Sequence, residues 1–511
     1  CVSQLIAENT NGTDFFERSA SIVETDSDGS ISKRLRFYAA GIDYMFSHPI
    51  FGSGIGNWKL ISIFYEKEFM DSYIVPYHAH NDFIQIGGEL GIPGFLMYVG
   101  IFIMILAYFV FILKSKASEK TNLFSILLFM SFTTYIIDAL LNFPISRPIS
   151  QMSFITIGSL VIIIFSNIKK HTHSHKSISF KRNKMLLFVF LTVLTPITYI
   201  SFLTFQSLKG QNTLIAEFNN GKLNYPLNKI EALVPKIPNI SITTLPISSM
   251  KARYYIENGK PNEALNLLRQ DKKTNPYLGF NETLTSQVFN TLNIKDSAVH
   301  YAKSAYEKLP IPPHFANYLK LLVEKKDTLE ADRIFIRDSA KHNDNVWRNY
   351  LVASNSLRPE GSIKSISIAN RALEIFPNNK DFVYLQKEAL LGRKKLTTTR
   401  RLYDEGNKLF EEKNYIAAAE TFLASASIDS LSFSYFENAG LAFYLAGEFN
   451  KAIPCFDKVI NELNPQSGKS EYFKGMTLIG LGRSREACTM FKASKAHKYL
   501  AADQALKTHC K

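Results

Sequence analysis

The sequence predicts an all-α protein in two unlike parts, a polytopic bundle of membrane helices followed by an α-helical solenoid. Three observations predict it. Long apolar runs are confined to residues up to about 208 of the 511. Lysine and arginine concentrate in some of the loops between those runs and are nearly missing from others. Beyond about residue 245 the chain turns charged, and small residues recur at a fixed long period. The 46 % apolar content is an average over the two halves, and the net charge of +14 is carried most densely between two apolar runs, where it reads as membrane topology. No basic surface interleaved with stacking aromatics is visible, which argues against nucleic acid as a partner.

In chain order, residues 1–33 are polar, with Glu24, Asp26 and Asp28 ahead of a turn at Asp28-Gly29, and read as an extramembrane loop. From Ser32 to Phe46 an amphipathic helix is expected. Leu35, Tyr38, Ala39, Ile42, Met45 and Phe46 form its apolar stripe, and Lys33, Arg34 and Arg36 cluster at its start. His48-Pro49 ends it, since the residue before proline is pushed out of the α region. FGSGIG follows at 51–56. No strand precedes it and no Lys-Ser/Thr follows, so it reads as tight irregular backbone and not as a nucleotide loop.

Four spans come next: Ile92 to Leu113, Asn122 to Phe143, Ile149 to Ile168, and Met185 to Leu208. Each is about the length that crosses a ~30 Å hydrocarbon core. Lys114, Lys116 and Lys120 separate the first two. The loop from Lys169 to Lys184 holds six basic residues and no acid, whereas the loop between the second and third spans has only Arg147. By the positive-inside rule the lysine-rich loops are cytoplasmic. The stretch from Phe51 to Gly94, the Arg147 loop and everything after Leu208 then lie on the opposite side. Asp138, an ionisable residue inside a span, marks either function or the outer interface. His171, His173 and His175 alternate in the basic loop, where a solvated cationic loop is favoured over a metal site.

The expected organisation is an extramembrane segment at 1–91 carrying the amphipathic helix, four spans at 92–208, a linker at 209–244, and a repeat domain at 245–511. Its anchors are Ala264, Ala298, Ala331, Ser365, Ala418, Ala452 and Ala487. They are spaced 34, 33, 34, 53, 34 and 35 residues apart, the tetratricopeptide period, with an irregularity near 380–400. Gly406, Gly440 and Gly475 each precede an anchor by 12, and Phe422, Phe456 and Phe491 follow one by 4. Pro310 and Pro377 fall 12 after their anchors, where a second helix should stop. Stacked pairs of this kind offer a concave face to a protein partner. The cysteines Cys1, Cys455, Cys488 and Cys510 fit no zinc pattern. Cys488 and Cys510 have the option of pairing in an oxidising compartment, but buried or free thiols are the favoured reading.

The most chemically loaded stretch is Phe51 to Gly94. RLRFY, then HPIFGSGIGNW, then HND with ELGIPGF, then NFP resembles the C-terminal half of the bacterial O-antigen ligase/polymerase family, over roughly residues 30–165. That family includes lipopolysaccharide O-antigen ligases, O-antigen polymerases and protein O-oligosaccharyltransferases. His80-Asn81, nine residues, then Gly91-Ile92-Pro93-Gly94 is the telling element. The resemblance implies a GT-C-like membrane glycosyltransferase, incomplete here, that uses neither metal nor cofactor. Its donor would be a glycan on undecaprenyl pyrophosphate, and its acceptor lipid A core, a growing glycan or protein. It implies His80 as the base and Arg34 as the cation on the pyrophosphate. Arg36 and Arg147 are assisting candidates on the substrate, and Glu89 is expected either to orient His80 or to make a structural hydrogen bond. It also implies a multi-pass protein of the bacterial inner membrane with the repeats in the periplasm. Because family members have about a dozen membrane helices and this chain begins with Cys, it is expected to be the C-terminal portion of a longer protein. The alternatives from other classes are a membrane-anchored repeat scaffold without catalysis and, more weakly, a transporter.

Overall fold

A computed structural model describes residues 29–115, 117–172, 180–463 and 465–510. Glu24, Asp26, Asp28, His173, His175 and the side chain of His171 lie outside the described residues. Regular structure among the described residues is helical, apart from one isolated bridge between Ile240 and Pro246. The chain divides into two compact units, 1–321 and 322–511.

In the first unit, α1 (Gly29–Ser47) is the amphipathic helix, three residues longer at its start than the stripe suggested and ending ahead of Pro49 as expected. A short α2 (Trp58–Glu66) follows the glycine loop. α3 (Asp82–Lys114) is interrupted at Gly91, whose φ of 69° and ψ of −170° only glycine tolerates readily. Pro93 sits in the first turn beyond that break, where its missing N–H is no loss. The remaining 92–114 segment is the first span. The second is α4 (Glu119–Leu141), capped by the Ser118 side chain on Thr121 N, and the third is α5 (Pro148–Thr172). Phe102, Ile105, Phe109 and Ile112 of α3 interlock with Leu128, Phe132, Tyr135 and Ala139 of α4 and Val161 of α5. Aromatic pairs such as Tyr135 and Phe154, with ring centroids 4.5 Å apart, fill the seam, so packing rather than water exclusion joins these helices.

The fourth span opens α6 (Phe180–Asn220), a helix of 41 residues. It runs twelve residues past Leu208, into the stretch expected as a linker. A short α7 (Leu227–Ile230) lies in the remainder. Leu214, Ile230, Val234 and Leu245 share one buried core with the first repeats, so 209–244 is packed structure.

The repeats begin with α8 (Ile247–Glu257) and α9 (Pro261–Gln270), then α10 (Phe280–Thr291) and α11 (Lys295–Lys308), then α12 (Pro312–Lys325) and α13 (Thr328–Ser339). Next come α14 (Asp344–Leu357) with α15 (Ile363–Ile375), a single helix α16 (Lys380–Leu391), α17 (Arg393–Glu411) with α18 (Tyr415–Ile428), α19 (Phe433–Leu445) with α20 (Phe449–Lys458), α21 (Lys469–Gly480) with α22 (Ser484–Ala496), and α23 (Ala502–His509); α13 and everything after it belong to the second unit. Every one of the seven anchors lies in the second helix of a pair and is at most 1 % exposed. The 53-residue gap is the extra helix α16. The first unit extends to 321, not to 245, because Met70 and Val75 of the extramembrane loop lie in the core of the first two pairs.

The Gly–Phe spacing has a steric cause. A Cβ on Gly440 would stand 2.7 Å from Phe456 Cε1, and Gly406 and Gly475 meet Phe422 and Phe491 in the same way. Gly440→Ala is therefore expected to destabilise the α19–α20 pair by about 1–3 kcal/mol through overpacking. Faster hydrogen exchange confined to these two helices and their neighbours is the reading that checks it.

Cys488 and Cys510 are disulfide-bonded, against the favoured expectation of free thiols. The reason is that α23 folds back on α22 and brings the two Cα atoms to 5.7 Å, a separation the spacing alone did not reveal. Cys455 is a buried free thiol.

Candidate functional site

Four stretches of the first unit converge where α3 begins. Asn81 caps that helix by accepting from Ile84 N (3.0 Å), and its Nδ2 donates to Leu140 O (3.0 Å), which ties the start of α3 to the end of α4. His80 immediately precedes the cap with φ 58°, a region costly for a residue with a Cβ. Most other non-glycine residues with positive φ sit in turns between repeat helices. The Tyr38 hydroxyl of α1 donates to His80 O (2.9 Å) and so fixes the strained backbone from the opposite side.

The His80 ring is stacked against Phe37 (centroids 6.5 Å) and meets Phe143 edge-on (5.2 Å). Arg34 stands one turn before Phe37 on α1 and reaches Leu141 O with Nη1 at 3.4 Å. Arg147 lies over the Phe143 ring (4.6 Å) with Asp138 at 3.9 Å. Burial, followed by the nearby Arg34 and Arg147 cations, holds the His80 imidazole below its ordinary pKa, so it is neutral and basic at pH 7. His80 Nδ1 is buried with no hydrogen-bond partner among the described residues. His78 stacks face to face on Phe143 (4.0 Å) and is also held low, mainly by burial. The structure thus brings His80, Arg34 and Arg147 together.

Arg36 is held elsewhere. Its guanidinium forms a bidentate pair with Glu66 (2.8 and 3.1 Å) and lies over Phe69 at 3.9 Å. Of the two roles open to Glu89, its bonds are the structural kind. The carboxylate is 3 % exposed and accepts from Gly56 N (2.8 Å), Trp58 N (3.0 Å) and Gln85 Nε2 (3.3 Å). Backbone bonds from Ser53 N to Gly88 O, Gly54 N to Glu89 O and Ile92 N to Pro49 O complete the seam. The glycine loop is therefore clamped onto α3, and a Cβ on Gly91 would collide with the Pro49 carbonyl. Glu89→Ala is expected to leave two loop N–H groups without an acceptor, at a cost of about 1–3 kcal/mol each. Lowered thermal stability together with faster exchange at 51–58 is the expected reading.

The sequence reading gave no site role to Phe37, Phe143 or Asp82 and placed Tyr38 only in an apolar stripe. Asp82 is fully buried and accepts from Ile145 N (3.0 Å), which anchors the turn ahead of Arg147. An acid beside His80-Asn81, at the first position of a helix, was the available signal. An open groove of about 1030 Å³ runs between α4 and α5 beside this cluster, with Tyr135, Asp138, Leu141, Asn142, Ser153 and Ile157 in its wall. No group of three or more metal-ligating side chains is found among the described residues.

Residues 2–99 match the O-Antigen ligase family. The matched segment contains α1, the clamped glycine loop, His80 and the break in α3, and it supports a membrane glycosyltransferase type of activity. Among the described residues, four helices are long and apolar enough to cross a membrane. No curated protein matches the chain. Among solved structures, a tetratricopeptide repeat protein from Parabacteroides merdae is 13 % identical, with 52 % of this chain and 98 % of that one covered, at a TM-score of 0.23. Yeast Tom70 is 12 % identical, with 81 % and 93 % covered, at a TM-score of 0.21. The ligase-family segment and the repeats meet inside the first unit.

Proposed function

We propose that the chain carries the acceptor-activating half of an O-antigen ligase-type glycosyltransferase. The donor is a glycan on undecaprenyl pyrophosphate. The acceptor hydroxyl attacks the anomeric carbon, the bond from that carbon to the pyrophosphate oxygen breaks, and undecaprenyl pyrophosphate leaves. The hydroxyl proton passes to the neutral His80 ring, with Nε2 as the receiving nitrogen because Nδ1 is shielded. The charge left on the pyrophosphate falls to Arg34, assisted by Arg147. One observation carries this reading: a histidine kept neutral by burial and two cations, in strained backbone at the head of a span.

Among the described residues Arg34 has no carboxylate partner, whereas Arg36 has Glu66 and Arg147 has Asp138. That favours Arg34 as the arginine available to phosphate. The groove beside Asp138 suits the prenyl chain of the donor. The distribution of lysine over the loops supports a site on the outer face of a bacterial inner membrane with the repeats in the periplasm, and the Cys488–Cys510 bond agrees with an oxidising compartment.

Deletion in the native host, followed by blots for lipopolysaccharide ladders and for glycoproteins, tests the function and the acceptor together. Loss of the ladder names lipid A core, collapse to single units names a growing glycan, and loss of protein-linked glycan names protein. If neither blot changes, the glycosyltransferase reading is wrong and a repeat scaffold takes its place.

A further inference from the structure

The segment 73–80, which ends on His80, is fastened at every one of its residues but Ile74. Pro76, His78, Ala79 and His80 are held by the part of the chain that precedes the repeats. Ala79 N donates to Gln85 Oε1 (3.1 Å), His78 stacks on Phe143, and the His80 carbonyl takes the Tyr38 hydroxyl. Pro76 O accepts from Ser62 Oγ of α2 (3.0 Å). Tyr73, Val75 and Tyr77 are held by the first repeats and by the packed segment that leads into them. Val75 is buried in the core that contains Leu265, Leu268 and Leu284. The Tyr77 hydroxyl donates to Ile242 O (2.5 Å), and Ile242 N in turn donates to Gln211 Oε1 at the far end of α6 (2.8 Å). Tyr73 lies among Phe218, Phe280 and His314, with centroids 6.4, 5.4 and 5.4 Å away.

The Tyr73 contact is directional. His314 is fully buried, and burial pushes its pKa down to about 4, so it is neutral. Its Nδ1 lies 2.7 Å from Leu309 O, a carbonyl that can only accept, so Nδ1 carries the proton. Nε2 is then an acceptor for the Tyr73 hydroxyl at 2.9 Å. Gly279 makes room for this ring, since a Cβ there would stand 2.7 Å from His314 Cε1.

We infer that the first repeats are a working wall of the catalytic site, and that Tyr73 and Tyr77 are positioning residues that hold His80 in its strained conformation through the 73–80 strap. This rests on the glycosyltransferase reading above. The strap from Tyr73 to the histidine is short, and few of its residues are free to absorb slack. A strap pulled from only one end would let His80 relax toward ordinary backbone angles and lose its place between Phe37 and Phe143.

The test uses the full-length chain in lipid nanodiscs. Tyr73→Ala, Tyr73→Phe, Tyr77→Phe and His80→Gln are compared for hydrogen exchange over 72–82 and for transfer kinetics with purified lipid-linked donor. Tyr73→Ala should speed exchange in 74–82 about tenfold and lower kcat roughly 10- to 100-fold, with the donor KM within about twofold. Tyr73→Phe keeps the packing and loses only the hydroxyl, so it should recover most of kcat, and Tyr77→Phe should fall between the two. Unchanged exchange in Tyr73→Ala overturns the strap. Faster exchange with wild-type kcat, or a rise confined to KM, overturns the positioning role. If His80→Gln transfers at the wild-type rate, the glycosyltransferase assignment of His80 fails instead, while the exchange data still decide whether the repeats brace the strap.

Discussion

Glycan transfer by His80→Gln is expected to be about 10²–10⁴-fold slower than wild type, the usual worth of a positioned general base. Glutamine is close in size and fits the slot between Phe37 and Phe143, so the protein should insert and fold normally. Donor KM should change little, because the proton transfer belongs to the transition state. Single-turnover measurement with a purified lipid-linked donor reads this directly, and transfer within a few-fold of wild type would shift the base role to another group, with His78 the nearest candidate. The pH profile gives an independent handle. A folded-state pKa below the usual imidazole value of 6.5 means that the base form persists below that pH. The acid limb of kcat/KM should therefore lie below 6.5. Arg147→Gln removes one of the two cations that disfavour the imidazolium and should move the limb upward.

The second large effect is expected at Arg34. Loss of a preorganised cation or donor facing developing charge costs on the order of 10²–10³ in rate, so Arg34→Gln should fall by that amount. Arg34→Lys should recover only part of it, since an ammonium keeps the charge but cannot grip two phosphate oxygens at once. The side chain has no carboxylate to release among the described residues, and its hydrogen bond to Leu141 O is long and exposed. Arg36→Gln is the control. It breaks the Glu66 pair and should cost stability more than turnover. If Arg36→Gln proves the more damaging in single-turnover rate, the two arginines have been assigned in the wrong order.

Much of this was legible in the sequence, because local periodicity writes itself into neighbouring residues. The 34-residue spacing located all seven second helices, and the Gly–Phe offsets named pairs that do touch. Pro49 announced the end of α1, whereas the ten residues of α3 ahead of Ile92 and the break at Gly91 were not foreseen. What escaped depends on residues far apart. Tyr73 and His314 are 241 positions apart, and nothing around either one points to the other. Glu89 carries the same carboxylate whether it meets a substrate or three N–H groups; only the folded loop decides between them. The Cys488–Cys510 bond follows from the return of α23, and the single helix α16 looked like an interruption because the pattern sought was a pair.

The 41-residue α6 acts as a mast. At a rise of 1.5 Å per residue, the twelve residues from Lys209 to Asn220 lift the chain about 18 Å beyond the end of its apolar stretch. Height and phase are thereby coupled in one continuous helix. Adding a single residue above Leu208 would turn everything beyond it by about 100°, whereas adding seven would keep the facing side within roughly 20° and raise it by about 10 Å. The height of the first repeats above the end of the apolar stretch is thus written in the length of one helix, and that length can change only in steps of whole turns without swinging the repeats away from the strap.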